Sequence, residues 1–329
     1  MAKENPYGPK GWTPDSVGNL AGKTYVITGA NAGAGYEAAK IFLSKGASVV
    51  MLNRSVPKSE AAIAALKSEL GADADVRYIL MDLADLASVR QAAERVNAEV
   101  PHIDAFIGNA AIAQVATQQF TKDGFESQLG TNHYGHFLLT SLIFDRIVES
   151  KGRIVIVGSN GHKMGLKRIQ FEDMNFDKNY NPHYTYCHSK FAQMMFAYEL
   201  ERRVKQAELP ISVHVCHPGM AKTTLAQDES AGFIKFMLKI AAPFAQSAER
   251  GAWPEILCAT EENLKETAYY GPTKRSEMAG AVGECTLEES VLDTDQARKL
   301  WELSEQETGI TWALASHQES LENGRRAQA

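Results

Sequence analysis

The sequence predicts a single α/β domain built on a doubly wound parallel sheet with helices on both faces. Three observations carry that expectation. Short apolar, β-branched runs alternate with longer segments whose apolar residues recur at helical spacing. A glycine-rich turn stands directly between the first run and the first helical segment. The 329 residues, 44% hydrophobic and 22% charged, supply one large core without staples.

In chain order, the runs at 24–28, 48–52, 76–81, 103–107, 153–157 and 211–215 read as buried strands. The segments at 36–43, 61–70, 86–96 and 125–148 read as the helices between them. Residues 1–19 have no long apolar run and read as an arm draped on or mobile ahead of the domain, rather than as a signal peptide. The domain spans 20–315, and residues 316–329 form a polar tail.

A net charge of −6, with no clustering of Lys and Arg, excludes nucleic acid as an expected partner. Cys187, Cys216, Cys258 and Cys285 are widely spaced and lack paired motifs, so neither a disulfide framework nor a zinc site is expected. No run of about 18 apolar residues occurs, so no stable membrane anchor is expected. A reducing, cytoplasmic location fits this composition.

Ligands of such sheets bind beyond the carboxyl ends of the strands. Directly after the first strand comes Thr28-Gly29-Ala30-Asn31-Ala32-Gly33-Ala34-Gly35. Its glycines permit a sharp turn and close approach of backbone to a pyrophosphate, and the following helix start favours negative charge. Gly29, Asn31, Ala32, Gly33, Ala34 and Gly35 are therefore the expected phosphate cradle. After the second strand the chain reads Asn53-Arg54-Ser55, with no carboxylate to take two free ribose hydroxyls. Arg54 can pair with a 2′-phosphate, so NADP(H) is the expected cofactor. Asp82 and Leu83, and then Asn109, Ala110 and Ala111, follow the next two strands and fit the same groove.

The glycine pattern at Thr28, the Asn-Ala-Ala at Asn109, an asparagine at Asn132, a strand-end serine at Ser159 and a Tyr-x-x-x-Lys at Tyr186 occur in the order seen in the short-chain dehydrogenase/reductase family, which the chain resembles over roughly 20–270. The stretches Gly130 to Phe137, Tyr186 to Lys190 and His217-Pro218-Gly219 look most like its retinol-dehydrogenase branch. The resemblance implies a Rossmann-type fold and hydride transfer between nicotinamide and a carbonyl or alcohol, with Tyr186 as general acid or base. On a helix, residues four apart share a face, so the Lys190 ammonium can favour the Tyr186 phenolate. The family also gives Lys190 a hold on the nicotinamide ribose and Asn132 a water leading from Lys190 to solvent. Ser159 would donate to the developing oxyanion. Pro218, Gly219, Ala221 and Thr223 resemble the turn that closes over nicotinamide. Long helices around Asn132 and Tyr186 make dimers and tetramers in the family, which implies a homodimer or homotetramer.

Between Ser159 and Tyr186 lie Met164, Phe171, Met174, Phe176, Tyr180 and Tyr184, candidates to wall a roomy apolar pocket for a small hydrophobic carbonyl or alcohol substrate. Residues 224–246 resemble a substrate lid; the amphipathic stretch 233–240 reads equally as a dimer contact or a membrane-surface patch. Two rivals stay open. A weaker resemblance to light-dependent protochlorophyllide reductase rests on Asn109-Ala110-Ala111 and Gly130 to His133, although Cys187, His188 and Met220 depart from it. An NADP(H)-binding sensor without turnover is the other; intact Asn132, Ser159, Tyr186 and Lys190 favour catalysis. His133 and His136, three apart on a helix, have no carboxylate or cysteine beside them to suggest a metal.

Overall fold

The computed structural model describes residues 5–221, 245–312 and 314 of the chain. Eight strands form one sheet in the order β3-β2-β1-β4-β5-β6-β7-β8. They are β1 (Thr24–Thr28), β2 (Ser48–Asn53), β3 (Val76–Leu80), β4 (Ala105–Gly108), β5 (Arg153–Val157), β6 (Ser212–Cys216), β7 (Tyr269–Lys274) and β8 (Ala279–Glu284). All neighbours pair in parallel except β7 with β8, which form an antiparallel hairpin. The doubly wound sheet is the one the sequence predicts, and its strand order reverses between β1 and β4, the position where such sheets open a ligand crevice.

The helices are α1 (Gly33–Ser44), α2 (Val56–Leu70), α3 (Leu86–Glu99), α4 (Gly135–Glu149), α5 (Pro182–Gln206), α6 (Ala248–Thr260) and α7 (Thr294–Thr308). Side chains alternate across each strand, so the two sheet faces have separate cores. One core joins Val50, Phe106 and Ile154 to Val89, Phe137 and Phe191 of α3, α4 and α5. The other joins Ile27, Met51 and Val155 to Phe42 and Ile256 of α1 and α6.

Two elements depart from expectation. The segment 125–148 is not one continuous helix: a short turn at Ser127–Leu129 leads into a π-helical stretch at Gly130–Tyr134 before α4 begins. Gly135, where α4 begins, lets the helix approach Leu83 closely, because a Cβ there would come to 2.5 Å from the Leu83 carbonyl oxygen. The hairpin β7–β8 has no alternating apolar pattern; Gly271, Pro272, Gly280 and Gly283 interrupt it. It forms because β6 offers β7 an edge and the amino-terminal arm covers β8, through a Trp12–Val282 bridge and an Asn5 side chain that donates to the Val282 carbonyl at 3.0 Å. The arm lies against the domain over its described length.

Helix α7 starts at an Asp293 cap and ends at Gly309 in the left-handed region (φ 62°). Its Trp301 packs edge-on to Phe137 and tilted against Phe196 of α5, and Trp312 beyond it meets Phe144. The helix faces around Asn132 and Tyr186 therefore carry α7. No helix among the described residues is long and apolar enough to cross a membrane.

Candidate active site

A groove of about 340 Å³ runs along the carboxyl ends of β1, β2, β4 and β5. The sequence-predicted residues Gly29, Asn31, Ala32, Gly33, Ala34, Asn53, Arg54, Asp82, Leu83, Asn109, Ala110, Ala111, Tyr186, Lys190 and Pro218 all line it. A larger hollow of about 650 Å³ opens at the opposite strand ends, around Arg153, Glu199 and His214. It contains none of the motifs, and Glu199 there is paired with Arg202 and Arg203.

Backbone makes the first half of the groove. Gly29 and Gly33 have φ of 68° and 61°, the left-handed region that side chains resist. Asn53 is buried and turned into the loop, its Oδ1 accepting from the Ala30 amide at 2.9 Å and its Nδ2 donating to Ser59 Oγ at 3.1 Å. Asn109 braces the loop from β4, its Nδ2 donating to the Thr28 carbonyl at 2.8 Å. A Cβ at Gly35 would strike that same amide, so Gly35 serves loop packing and does not line the groove. The cradle fits a dinucleotide phosphate, with turned glycines and an open helix start. Arg54, just ahead of α2, and Lys58, in its first turn, stand exposed at the rim with Ser55 between them. The motif reading passed over Lys58.

Side chains make the second half. Asn181 caps α5, accepting from the His183 and Tyr184 amides at 3.0 Å, and Pro182 suits the first helical position. This sets Tyr186 and Lys190 on one face. Tyr186 is partly buried; burial pushes its hydroxyl up to about 12, and a hydrogen bond with Ser159 opposes that rise. The sequence expectation that the Lys190 ammonium lowers the Tyr186 pKa is not met: burial sets the direction, and Lys190 is not among the groups acting on Tyr186. Lys190 itself is buried, and desolvation lowers it to about 7. Its Nζ donates to the Val157 carbonyl and to Gln193 Oε1, both at 2.8 Å.

Ser159 caps a short turn, its Oγ accepting from the Gly161 amide at 3.1 Å. His162 steadies it, with Nδ1 donating to the Ser159 carbonyl at 2.7 Å. Asn132 lies in the π-helical stretch, fully buried. Its Nδ2 donates to the Ile112 carbonyl at 3.0 Å and to Ser189 Oγ at 2.9 Å, while its Oδ1 accepts from the Ile112 amide at 2.9 Å. Ser189 Oγ in turn donates to the Tyr186 carbonyl at 2.8 Å. Asn132 thus reaches α5 through Ser189, and its direct partners do not include Lys190.

His133 and His136 serve separate contacts: His133 Nε2 meets Ser304 Oγ of α7 at 2.8 Å, and His136 Nε2 meets Thr28 Oγ1 at 3.1 Å. His217, Glu277 and Cys285 place possible ligand atoms within 4.8 Å of one another. Two of the three are already engaged: Glu277 pairs with Lys163 and accepts from the Thr286 amide, and His217 Nδ1 accepts from the Gly219 amide at 3.2 Å, while the buried His217 Nε2 has no hydrogen-bond partner. Gly219 (φ 66°) shapes its turn, and Ala221 bridges to Gln246; neither lines the groove. Thr223 and residues 224–244 of the proposed lid at 224–246 lie outside the described residues. Of the proposed pocket wall, Phe176 is buried, Phe171 and Met174 pack against the core, and Tyr180 donates to the Val115 carbonyl at 2.7 Å. Met164 and Tyr184 are exposed.

With this geometry in place, the chain belongs to the short-chain dehydrogenase/reductase family, whose "short chain dehydrogenase" model matches residues 23–232. Within it, the chain sits in the retinol-dehydrogenase branch. Human retinol dehydrogenase 12 is 34% identical over 89% of this chain and 88% of its own length, and human retinol dehydrogenase 11 is 36% identical over 76% of each. A solved, uncharacterised protein of Mycobacterium paratuberculosis is 33% identical, with a TM-score of 0.74 over 92% of this chain and 99% of its own. A Beutenbergia cavernae protein assigned as an NAD(P)-dependent gluconate 5-dehydrogenase, solved with NADP at low occupancy, shares the fold at 20% identity, with a TM-score of 0.57 over 74% of this chain and 91% of its own.

Proposed function

We propose that the protein is an NADP(H)-dependent oxidoreductase that interconverts a bulky hydrophobic carbonyl compound and its alcohol. The single observation that carries this reading is that Tyr186 and Lys190 stand in the same groove as the glycine cradle. The bound nicotinamide supplies or accepts the hydride. The protein's own groups do the rest. Ser159 donates to the substrate oxygen as it gains charge, an interaction that strengthens in the transition state. Tyr186 gives that oxygen a proton, or takes it in reverse, and the Lys190 ammonium lowers the cost of the phenolate.

Arg54, Lys58 and Ser55 favour a 2′-phosphate, and the inward turn of Asn53 leaves no acceptor for free ribose hydroxyls. Retinol dehydrogenases among the relatives support a bulky apolar substrate, as do the exposed Met164 and Tyr184 beside Ser159 and Tyr186 in sequence. Because α7 already covers the helix faces that would make the family's oligomers, the reading here is a monomer in the cytoplasm. NADPH oxidation followed in the dark against bulky ketones, aldehydes and small polar carbonyls tests the substrate class. Turnover restricted to the bulky apolar compounds is expected, and a preference for the small polar ones would overturn it.

A further inference from the structure

The loop that joins β7 to β8, residues 275–278, runs against the preference of its own residues. Arg275, Ser276 and Glu277 stand at φ of 52°, 53° and 61°, three consecutive left-handed positions with no glycine among them. Hairpin loops of four residues are most often built around a right-handed turn, and a side chain in the left-handed region persists where its surroundings hold it there. Arg275 and Ser276 are exposed, whereas Glu277 is partly buried and makes the contacts.

Glu277 holds both ends of the short turn that follows Ser159, Asn160–Lys163. Its carbonyl accepts from Asn160 Nδ2 at 3.2 Å, and its carboxylate pairs with Lys163. The other carboxylate oxygen accepts from the Thr286 amide at 2.8 Å, which ties the contact to the chain beyond β8. Lys163 also acts on His217 and Cys285, and its ammonium stands 5.7 Å from the Tyr269 ring centroid. The cluster of His217, Glu277 and Cys285 therefore has its own cation. One residue beyond Glu277, the Met278 carbonyl accepts from the Met220 amide at 2.8 Å, and a Cβ at Gly219 would come to 2.5 Å from that same oxygen. A single loop thus grips the Ser159 turn and the His217-Pro218-Gly219 turn together.

We propose, resting on the reading of Ser159 and Tyr186 given above, that Glu277 is a positioning residue for the reaction, clamping the Ser159 turn against the turn at Gly219. The Ser159 Oγ accepts from the Gly161 amide inside the clamped turn, so a turn that shifts carries the hydroxyl with it. A donor aimed at a developing oxyanion works through its fixed place, and a displacement of about 1 Å costs on the order of 100-fold in rate. The strained loop is what presents the Glu277 carbonyl and carboxylate to Asn160 and Lys163 at the same time.

The test compares wild type with Glu277→Gln, Lys163→Met and the double variant. Each single variant should lower kcat by roughly 10- to 100-fold while NADPH affinity stays within about twofold, and the double variant should be no slower than the slower single one. Losses that multiply in the double variant, or an unchanged kcat with only a lower melting temperature, overturn the proposal. Amide hydrogen exchange gives a reading that needs no substrate: the Gly161 amide, held by Ser159 Oγ, should exchange at least about tenfold faster in Glu277→Gln, and an unchanged rate overturns the clamp. If Glu277→Gln does not fold, Lys163→Met set against Lys163→Arg takes its place, with the arginine expected within about threefold of wild type and the methionine slow; equal rates overturn the pairing. Faster Gly161 exchange and a lower kcat in an enzyme whose Tyr186→Phe variant stays fully active would retain the clamp and remove Tyr186 as the proton donor.

Discussion

Around β1 and β2 the groove is made by backbone drawn from one short stretch of chain, with two left-handed glycines and a helix start within eight residues. Around β5 and α5 it is made by buried side chains gathered from distant parts of the sequence. Asn132 works through Ser189, 57 residues away, and the Ser159 turn is held through Asn160, whose amide donates to the Glu277 carbonyl 117 residues on at 3.2 Å. On the proposed reading the first half binds cofactor through local geometry, and the second works through side chains held by contacts far apart in sequence. Only the second half should therefore depend strongly on the packing of the carboxyl-terminal elements.

That contrast can be broken first at Trp301, which is 2% exposed, stacks on Trp312 and lies under the Arg203 guanidinium at 4.1 Å. Trp301→Ala should cost roughly 3 to 5 kcal/mol in urea unfolding. In the fraction that stays folded it should lower kcat more than NADPH affinity, and light scattering should find wild type monomeric. An equal loss of cofactor binding would mean that the two halves are not separable.

The binding half is sharpened by Arg54→Ala, which should weaken NADPH relative to NADH by roughly 1 to 3 kcal/mol. An unchanged NADPH/NADH ratio would remove Arg54 from cofactor choice.

A smaller effect tests the buried polar network. Desolvation holds His133, His136 and His217 down at about 3. The unfolded chain binds protons on these groups below about pH 6.5 and the folded chain does not, so their contribution is complete above pH 6.5 and is lost as pH falls toward 3. Urea unfolding at pH 7 and pH 5 should show stability falling by roughly 1 kcal/mol or more per pH unit on the acid side. A flat profile would show that these imidazoles are solvated.

The same division decided what was legible in the sequence. Local patterns were: the six parallel strands, the cradle, Arg54 and the Tyr186 and Lys190 spacing follow from periodicity and turn chemistry that a single chain displays. Lys58 was passed over. Gln193 and His162 were legible by spacing, each three residues from its partner, Lys190 and Ser159, and were passed over as well. Hairpin β7–β8 was hidden by its glycines and proline, and it owes its pairing to β6 and to the arm at Trp12. Asn132 was found by resemblance, yet its bonds to Ile112 and Ser189 became visible only with the π-helical stretch that aims it.

The central claim is that Tyr186 transfers the proton in a groove that binds cofactor without it. The most direct measurement is Tyr186→Phe, with NADPH affinity by fluorescence titration alongside dark turnover of the best carbonyl substrate. Turnover lower by roughly 100- to 10,000-fold with NADPH affinity unchanged is the predicted result. Turnover equal to wild type, or turnover that appears only under illumination, would contradict it.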